Sequence, residues 1–178
     1  FINTKSGNMA AVHADKSHKE PGIIKILDED GNVQYDGELD YIKGRGNSTW
    51  NADKKPYNIK LDSKTDLFGM GKNKSWCLLA NASEPSMIRN QLAYDFARGI
   101  GVDTTRPTRH VNLYLNGEYE GLYLLTEKVD IGENRVDIYI DIRFFVVEDV
   151  LVFQIQSNEL CHDRLCVFIA VDGEIQRT

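Results

Sequence analysis

The chain contains no apolar run of the roughly 18 residues that a membrane-spanning helix requires, so no helical span is expected. It carries no excess of positive charge either: 21 Lys and Arg stand against 27 Asp and Glu, for a formal net charge of −6. Nonspecific binding to nucleic acid draws its free energy from neutralised phosphates, so nucleic acid is not an expected partner, although a local basic site stays open. Cysteine is scarce: Cys77, Cys161 and Cys166 are odd in number and one lies far from the others, which excludes a disulfide framework. Cys161, His162 and Cys166 have the chemistry of metal ligands, but no fourth ligand stands at a useful spacing, and the expectation is buried thiols with no metal site. The Asp28-Glu29-Asp30 run lacks the later ligands of a calcium loop and reads as a solvated turn. No leader segment is visible, and because the chain opens on Phe1 this says little about compartment. Internal repeats and low-complexity stretches are absent as well.

What is present suits a folded domain. At 178 residues, 42% of them hydrophobic and 27% charged, the chain is long enough to bury roughly 70% of its unfolded surface. Residues 1–20 are polar and without a sustained period, and are expected to form a mobile lead-in. From Gly22 onward apolar runs are punctuated by Asp30-Gly31 and Asp36-Gly37, both hairpin signals. The segment KKPYNIKLD alternates Tyr57, Ile59 and Leu61 with Asn58, Lys60 and Asp62, the pattern of a half-buried strand. Ile88, Leu92, Phe96 and Ile100 form one apolar stripe at helical spacing, with Ser83 as the expected N-cap, Pro85 in the first turn, and Gly99 or Gly101 as the stop. Asn116-Gly117 between two alternating runs is the strongest hairpin signal in the chain. The last forty residues read as further strands, with a helical turn expected near 158–164.

Two strands flank the bend GRGNSTW, residues 44–50. Its glycines permit close approach of backbone amides to an anion, Arg45 offers a bidentate fork, and Ser48 and Thr49 add hydroxyl donors. The same residues also make an ordinary hairpin turn whose arginine pairs with a surface carboxylate, and neither a kinase glycine pattern nor a Walker loop is present. Lys60, on the polar side of its strand, has the reach to meet phosphates with Asp95 as its orienting carboxylate, and Lys54 and Lys55 are its rivals. Arg89 and Asn90 begin the helix beside its apolar stripe, and Glu127 ends an apolar strand whose backbone would face an adenine edge. The order of strands around one helix is that of the small lobe of a protein kinase, with nucleotide held beside the sheet. Of the carboxylates that phosphoryl transfer needs, Asp130, Asp137, Asp141, Glu148, Asp149 and Asp163 lie downstream, none in a recognisable catalytic loop. Trp50, Tyr57 and Trp76 are loose candidates for the aromatic platform of a carbohydrate-binding domain.

Four blocks, GRGNSTW, KKPYNIKLD, LFGMGKNKSWCLLANASEPSMIRNQLAYDFARGIG and VNLYLNGEYEGLYLLTEKVDIGENRVDI, occur in that order over roughly residues 38–138, and together they resemble the spore-coat protein H (CotH) kinase family. The resemblance implies an α+β fold, an antiparallel sheet with one principal helix like the small lobe of an atypical protein kinase, spanning residues 21–138 and followed by a divergent β-rich tail at 139–178. It implies ATP bound by Arg45, Gly46, Asn47 and Ser48, by a strand lysine taken as Lys60, and by the backbone at Glu127. It further implies phosphorylation of Ser or Thr in spore-coat or cell-surface proteins, with magnesium held by aspartates of a second lobe. After GENRVDI the family's later motifs, of the kinds Asn-x-Asp and Trp-Asp-Phe-Asp, do not occur, so the chain is expected to be a fragment or diverged relative without transfer activity of its own. The alternative is a non-catalytic adhesion or coat-assembly module.

Overall fold

Alternating apolar residues build the first of two units into which the chain divides, Phe1–Val129 and Asp130–Thr178. The computed structural model describes residues 1–102, 105–128, 140–147, 150–157 and 165–170. In the first unit β1 (Ile2–Thr4), β2 (Glu20–Leu27), β3 (Val33–Gly44), β4 (Tyr57–Asp66), β5 (Lys72–Leu79), β6 (Thr108–Leu115) and β7 (Glu118–Glu127) close into a barrel in the order β1-β2-β3-β4-β5-β7-β6. Ile42, Tyr57, Ile59, Leu61, Trp76, Leu78, Tyr123 and Leu125 fill its interior, each at most 3% exposed. Full burial of an aliphatic side chain contributes about 1.5–3 kcal/mol, so this set outweighs any surface contact in holding the strands.

The α+β arrangement expected from the sequence, an open antiparallel sheet with one principal helix, does not form. The structure is mostly β, and the sheet is closed. Closure comes from the first residues: β1 pairs antiparallel with β2, Ile2 opposite Ile24, and parallel with β6, Ile2 opposite Leu115, so the two edges of the sheet are joined through it. Ile2 is buried, and so is Val12 of the short helix α1 (Ala10–Ala14), which packs against the core. Within residues 1–20, expected as a mobile lead-in, Ile2–Thr4 are therefore barrel wall and Val12 is core, while most of residues 5–19 are exposed.

Helix α2 (Arg89–Gly99) forms where the apolar period placed it, but no residue of it is buried. Ser83 is not its cap: the chain turns through Asn81 and Met87, both at positive φ, and the Glu84 carboxylate accepts the Arg89 N–H at 3.2 Å. Gly101, with φ 81°, ends the turn that follows. The hairpin at Asn116-Gly117 forms with both residues at positive φ, as a tight two-residue turn requires. Asp36-Gly37 makes no turn, because β3 runs straight through it with Gly37 opposite Ile24 of β2.

In the second unit β8 (Ile140–Val147), β9 (Val150–Ser157) and β10 (Leu165–Ala170) form an antiparallel sheet in the order β10-β9-β8. Asp141 and Cys166 take their places in β8 and β10. Asp130, Asp137, Glu148, Asp149, Cys161, His162, Asp163 and the turn expected at 158–164 lie outside the described residues.

Candidate nucleotide-binding face

The connection from β3 to β4 carries the GRGNSTW bend. Arg45 extends the ladder one step past Gly44, its N–H bonding the Pro56 carbonyl at 3.2 Å, and strand alternation turns its side chain to the outer side of the barrel. The chain then reverses at Gly46, φ 80°, where a Cβ would lie 2.1 Å from Thr49 Oγ1, and enters a 3-10 turn at Ser48–Asn51. Asn47, Ser48 and Thr49 are exposed. Behind them Trp50 packs edge-on against Tyr57 and His13, each at 6.2 Å, and Lys16 Nζ donates to the Gly46 carbonyl at 2.8 Å. The bend is thus held from below, with its hydroxyls and Asn47 left to solvent.

The lysines divide differently from the expectation. Lys60 forms an ion pair with Asp40 at 2.9 Å, both about a third exposed, which raises the ammonium's pKa through hydrogen bond and charge. Asp95, the carboxylate expected to orient it, instead accepts from Gln91 at 3.0 Å and pairs with Arg98 at 3.3 Å. Lys55 donates to the carbonyls of Trp50 and Ala52 at 3.1 and 3.2 Å, closing the base of the bend. Lys54 bonds the Leu122 carbonyl and stands 4.5 Å over the Tyr123 ring, and burial lowers its pKa. Arg89 and Asn90 serve the approach to α2, the latter donating to Asn81 Oδ1 at 2.7 Å. Arg45 and Lys60 share the outer side of neighbouring strands, but Lys60 lies four residues along β4 from Pro56, about 13 Å at the rise of a strand, and the two are not brought together.

Other residues do gather near Arg45. Asn58, Cys77, Thr126 and Thr108 stand in one register row across β4, β5, β7 and β6, on the outer side, with Cys77 and Thr126 buried. Cys77 Sγ donates to Asn58 Oδ1 at 3.2 Å, and Thr126 Oγ1 to the Pro107 carbonyl at 3.2 Å. Burial pushes the Cys77 thiol's pKa up, and the positive charges of Arg45, Lys128 and Arg106 oppose that shift while Glu127 adds to it. Arg45, Arg106 and Lys128 form no ion pair with any described residue, and the buried Nε of Arg106 has no hydrogen-bond partner among them. Arg106 and Lys128 were missed in the sequence because neither falls in a glycine-rich bend or on an alternating strand. Only the pairing of β5 with β7, and of β7 with β6, brings their segments beside Cys77.

Glu127 is buried opposite Trp76, on the inner side of its strand. Trp76 and Tyr57 are core residues and Trp50 is partly covered, so none of the three offers a platform for a sugar. Among the described residues no three of His, Cys, Asp and Glu come together as a metal ion requires. No all-protein metal cage is therefore present among the described residues, and no phosphoryl-transfer step is derived from them.

The outer face of the barrel thus gathers cations around a row of hydroxyl, amide and thiol groups, of which Cys77 and Thr126 are buried. The family model of the CotH kinase protein matches residues 42–158, which includes the bend, Asn58, Cys77, Arg106, Thr126 and Lys128. The chain belongs to the CotH kinase protein family. No curated protein matches it.

Proposed function

We propose that this chain binds ATP on the outer face of β4, β5 and β7, with the triphosphate held at the GRGNSTW bend. Arg45 and the exposed donors of Asn47 and Ser48 hold phosphate oxygens, Arg106 and Lys128 add positive charge beside Cys77, and the backbone leaving β7 at Glu127 faces the base. The observation that carries the reading is that three cations act on one buried position and none forms an ion pair with a described residue. Half-buried cations gathered on one patch favour an anionic ligand, with Glu127 the one opposing charge at that position. Lys60, already paired with Asp40, serves only if phosphate displaces the carboxylate. By family, the activity is transfer of phosphate from ATP to Ser or Thr of a spore-coat or cell-surface protein. Magnesium and the catalytic carboxylates are supplied by groups other than those described, and the chain alone binds nucleotide without transferring phosphate.

A thermal-shift titration tests this. At ATP concentrations a hundred times the dissociation constant, the protein gains about 2.7 kcal/mol of stability. Arg45→Ala removes a charge-assisted bond of about 1.5–3 kcal/mol and weakens binding roughly ten- to hundredfold. The absence of any shift in wild type, or an equal shift in Arg45→Ala, counts against nucleotide binding.

A second reading, a non-catalytic module of coat or surface assembly, is favoured by one feature. The apolar stripe of α2, Ile88, Leu92, Phe96 and Ile100, is 54–66% exposed, and contiguous exposed apolar surface marks contact with other molecules. That reading requires no nucleotide dependence, which the same titration measures.

A further inference from the structure

α1 and the two residues after it lie against the GRGNSTW bend, on the side away from its exposed donors. Lys16 Nζ donates to the Gly46 carbonyl at 2.8 Å, and its stem crosses Gly44, where a Cβ would stand 2.8 Å from Lys16 Cγ and 2.6 Å from the Trp50 ring. Only glycine leaves room for both. His13 meets Trp50 edge-on with ring centres 6.2 Å apart, and its Nε2 lies 2.9 Å from the hydroxyl of Tyr57, the first residue of β4. Val12, fully buried, anchors the helix in the core.

The contact between Tyr57 and His13 has a direction. Tyr57 is 2% exposed and burial raises its pKa, so the hydroxyl keeps its proton and must donate it. His13 Nε2 is its partner, which makes the imidazole neutral with its own proton on Nδ1. An imidazolium has no acceptor, so a proton taken up at Nε2 leaves the buried O–H with nothing to donate to. Two charged groups act on His13 from the elements around it, the Lys55 ammonium beside the bend and the Glu120 carboxylate of β7, and α1 itself carries no other titratable side chain. Partial desolvation and Lys55 lower the imidazole's pKa, against Glu120. With the folded value depressed, the link is intact above the unfolded value of about 6.5 and is lost as pH falls through the lower folded value.

We propose that α1 is a brace that sets the bend for phosphate, with His13 and Lys16 as positioning residues, and that protonation of His13 loosens Trp50 and the Gly46–Thr49 turn and weakens nucleotide binding there. The proposal rests on the reading of the bend as the phosphate site, while the brace itself is measurable without nucleotide. An imidazolium also adds positive charge, which alone favours an anion. His13 is exposed, so water screens that charge, and the loss of pre-set donors in the bend outweighs it. Both positioning residues precede the family match at residues 42–158, so the brace comes from a part of the barrel outside it.

The test is an NMR pH titration of the full chain, first without nucleotide. Expected is one transition, with a midpoint below about 6.5, shared by the His13 ring, the Trp50 indole N–H and the Gly46–Trp50 amides. His13→Gln keeps an acceptor that does not titrate and abolishes the transition in the bend. His13→Ala removes the acceptor and gives at neutral pH the bend shifts that wild type shows only in acid. Circular dichroism at each pH verifies that the barrel stays folded. ATP is then added and followed by the same amides. Between about pH 7.5 and 5.5 affinity falls at least about threefold more in wild type than in His13→Gln, a comparison that cancels the titration of the terminal phosphate of ATP near pH 6. Bend amides that ignore the His13 transition, or a transition that survives in His13→Gln, overturn the brace. An equal fall of affinity in the two proteins, or a gain in acid relative to His13→Gln, overturns its role in binding. Absence of ATP binding at every pH removes the nucleotide reading and the binding half with it, and the titration without nucleotide still decides the brace.

Discussion

At the scale of single residues, the partner a side chain finds depends on which strand lies beside it. Lys60 was legible as a cation on the polar side of a strand, because alternation alone fixes its side. Its partner was not, because Asp40 is brought next to it by the register of β3 on β4, which shifts between Leu39 and Tyr41. Arg45 was legible because a glycine-flanked bend is a local feature. Arg106 was not, since its place beside Cys77 comes from strand pairing. Glu20 shows how one carboxylate can be tied into such non-local contacts. His18 Nε2 at 3.0 Å and the Ser6 N–H at 2.9 Å both meet it, and these hydrogen bonds hold its pKa below the ordinary carboxylate value against the opposing effect of burial. With the folded value depressed, the stability it contributes is fully present above the unfolded value of about 4.3 and is lost as pH falls through the lower folded value. Glu20→Gln should accordingly cost about 1 kcal/mol at neutral pH and almost nothing at the acid end, so that Tm profiles of mutant and wild type converge below about pH 4. A gap that stays constant with pH would show that the carboxylate's ionisation is not what stabilises the contact.

At the scale of elements, periodicity identified α2 and the long strands but not what they face. The stripe of Ile88, Leu92, Phe96 and Ile100 has the spacing of a core-facing helix, yet it stands in solvent. An apolar pattern states which side of a helix seeks cover, and only tertiary structure states whether cover exists. The consequence is measurable: Phe96→Ser should change stability by no more than about 0.5 kcal/mol, as surface substitutions do, whereas Leu61→Ala, inside the barrel, should cost about 2–5 kcal/mol. Urea denaturation of the two variants decides it, and a loss at Phe96 comparable to that at Leu61 would mean the helix is a packed element after all. Asp36-Gly37 failed as a turn signal for the complementary reason, since pairing with β2 along both sides of Gly37 outweighs the local preference of the dipeptide.

At the scale of the whole molecule, closure of the barrel was invisible in the sequence because the closing strand is too short to show a period. Its weight is nevertheless large. Ile2 touches both walls and is 1% exposed, so Ile2→Ala should cost about 2–5 kcal/mol, while a mobile lead-in would lose nothing. The family match, residues 42–158, crosses from the barrel into the second unit, and within the barrel it covers every residue of the proposed nucleotide face. What ties sequence, fold and proposed chemistry together is the convergence on that face, and an amide NMR titration with ATP reads it residue by residue. Saturable shifts at Arg45–Trp50, Asn58, Cys77, Arg106 and Thr126, reduced at least about tenfold in affinity by Arg45→Ala, are the result expected. Shifts confined to α2, or none at millimolar ATP, would contradict it.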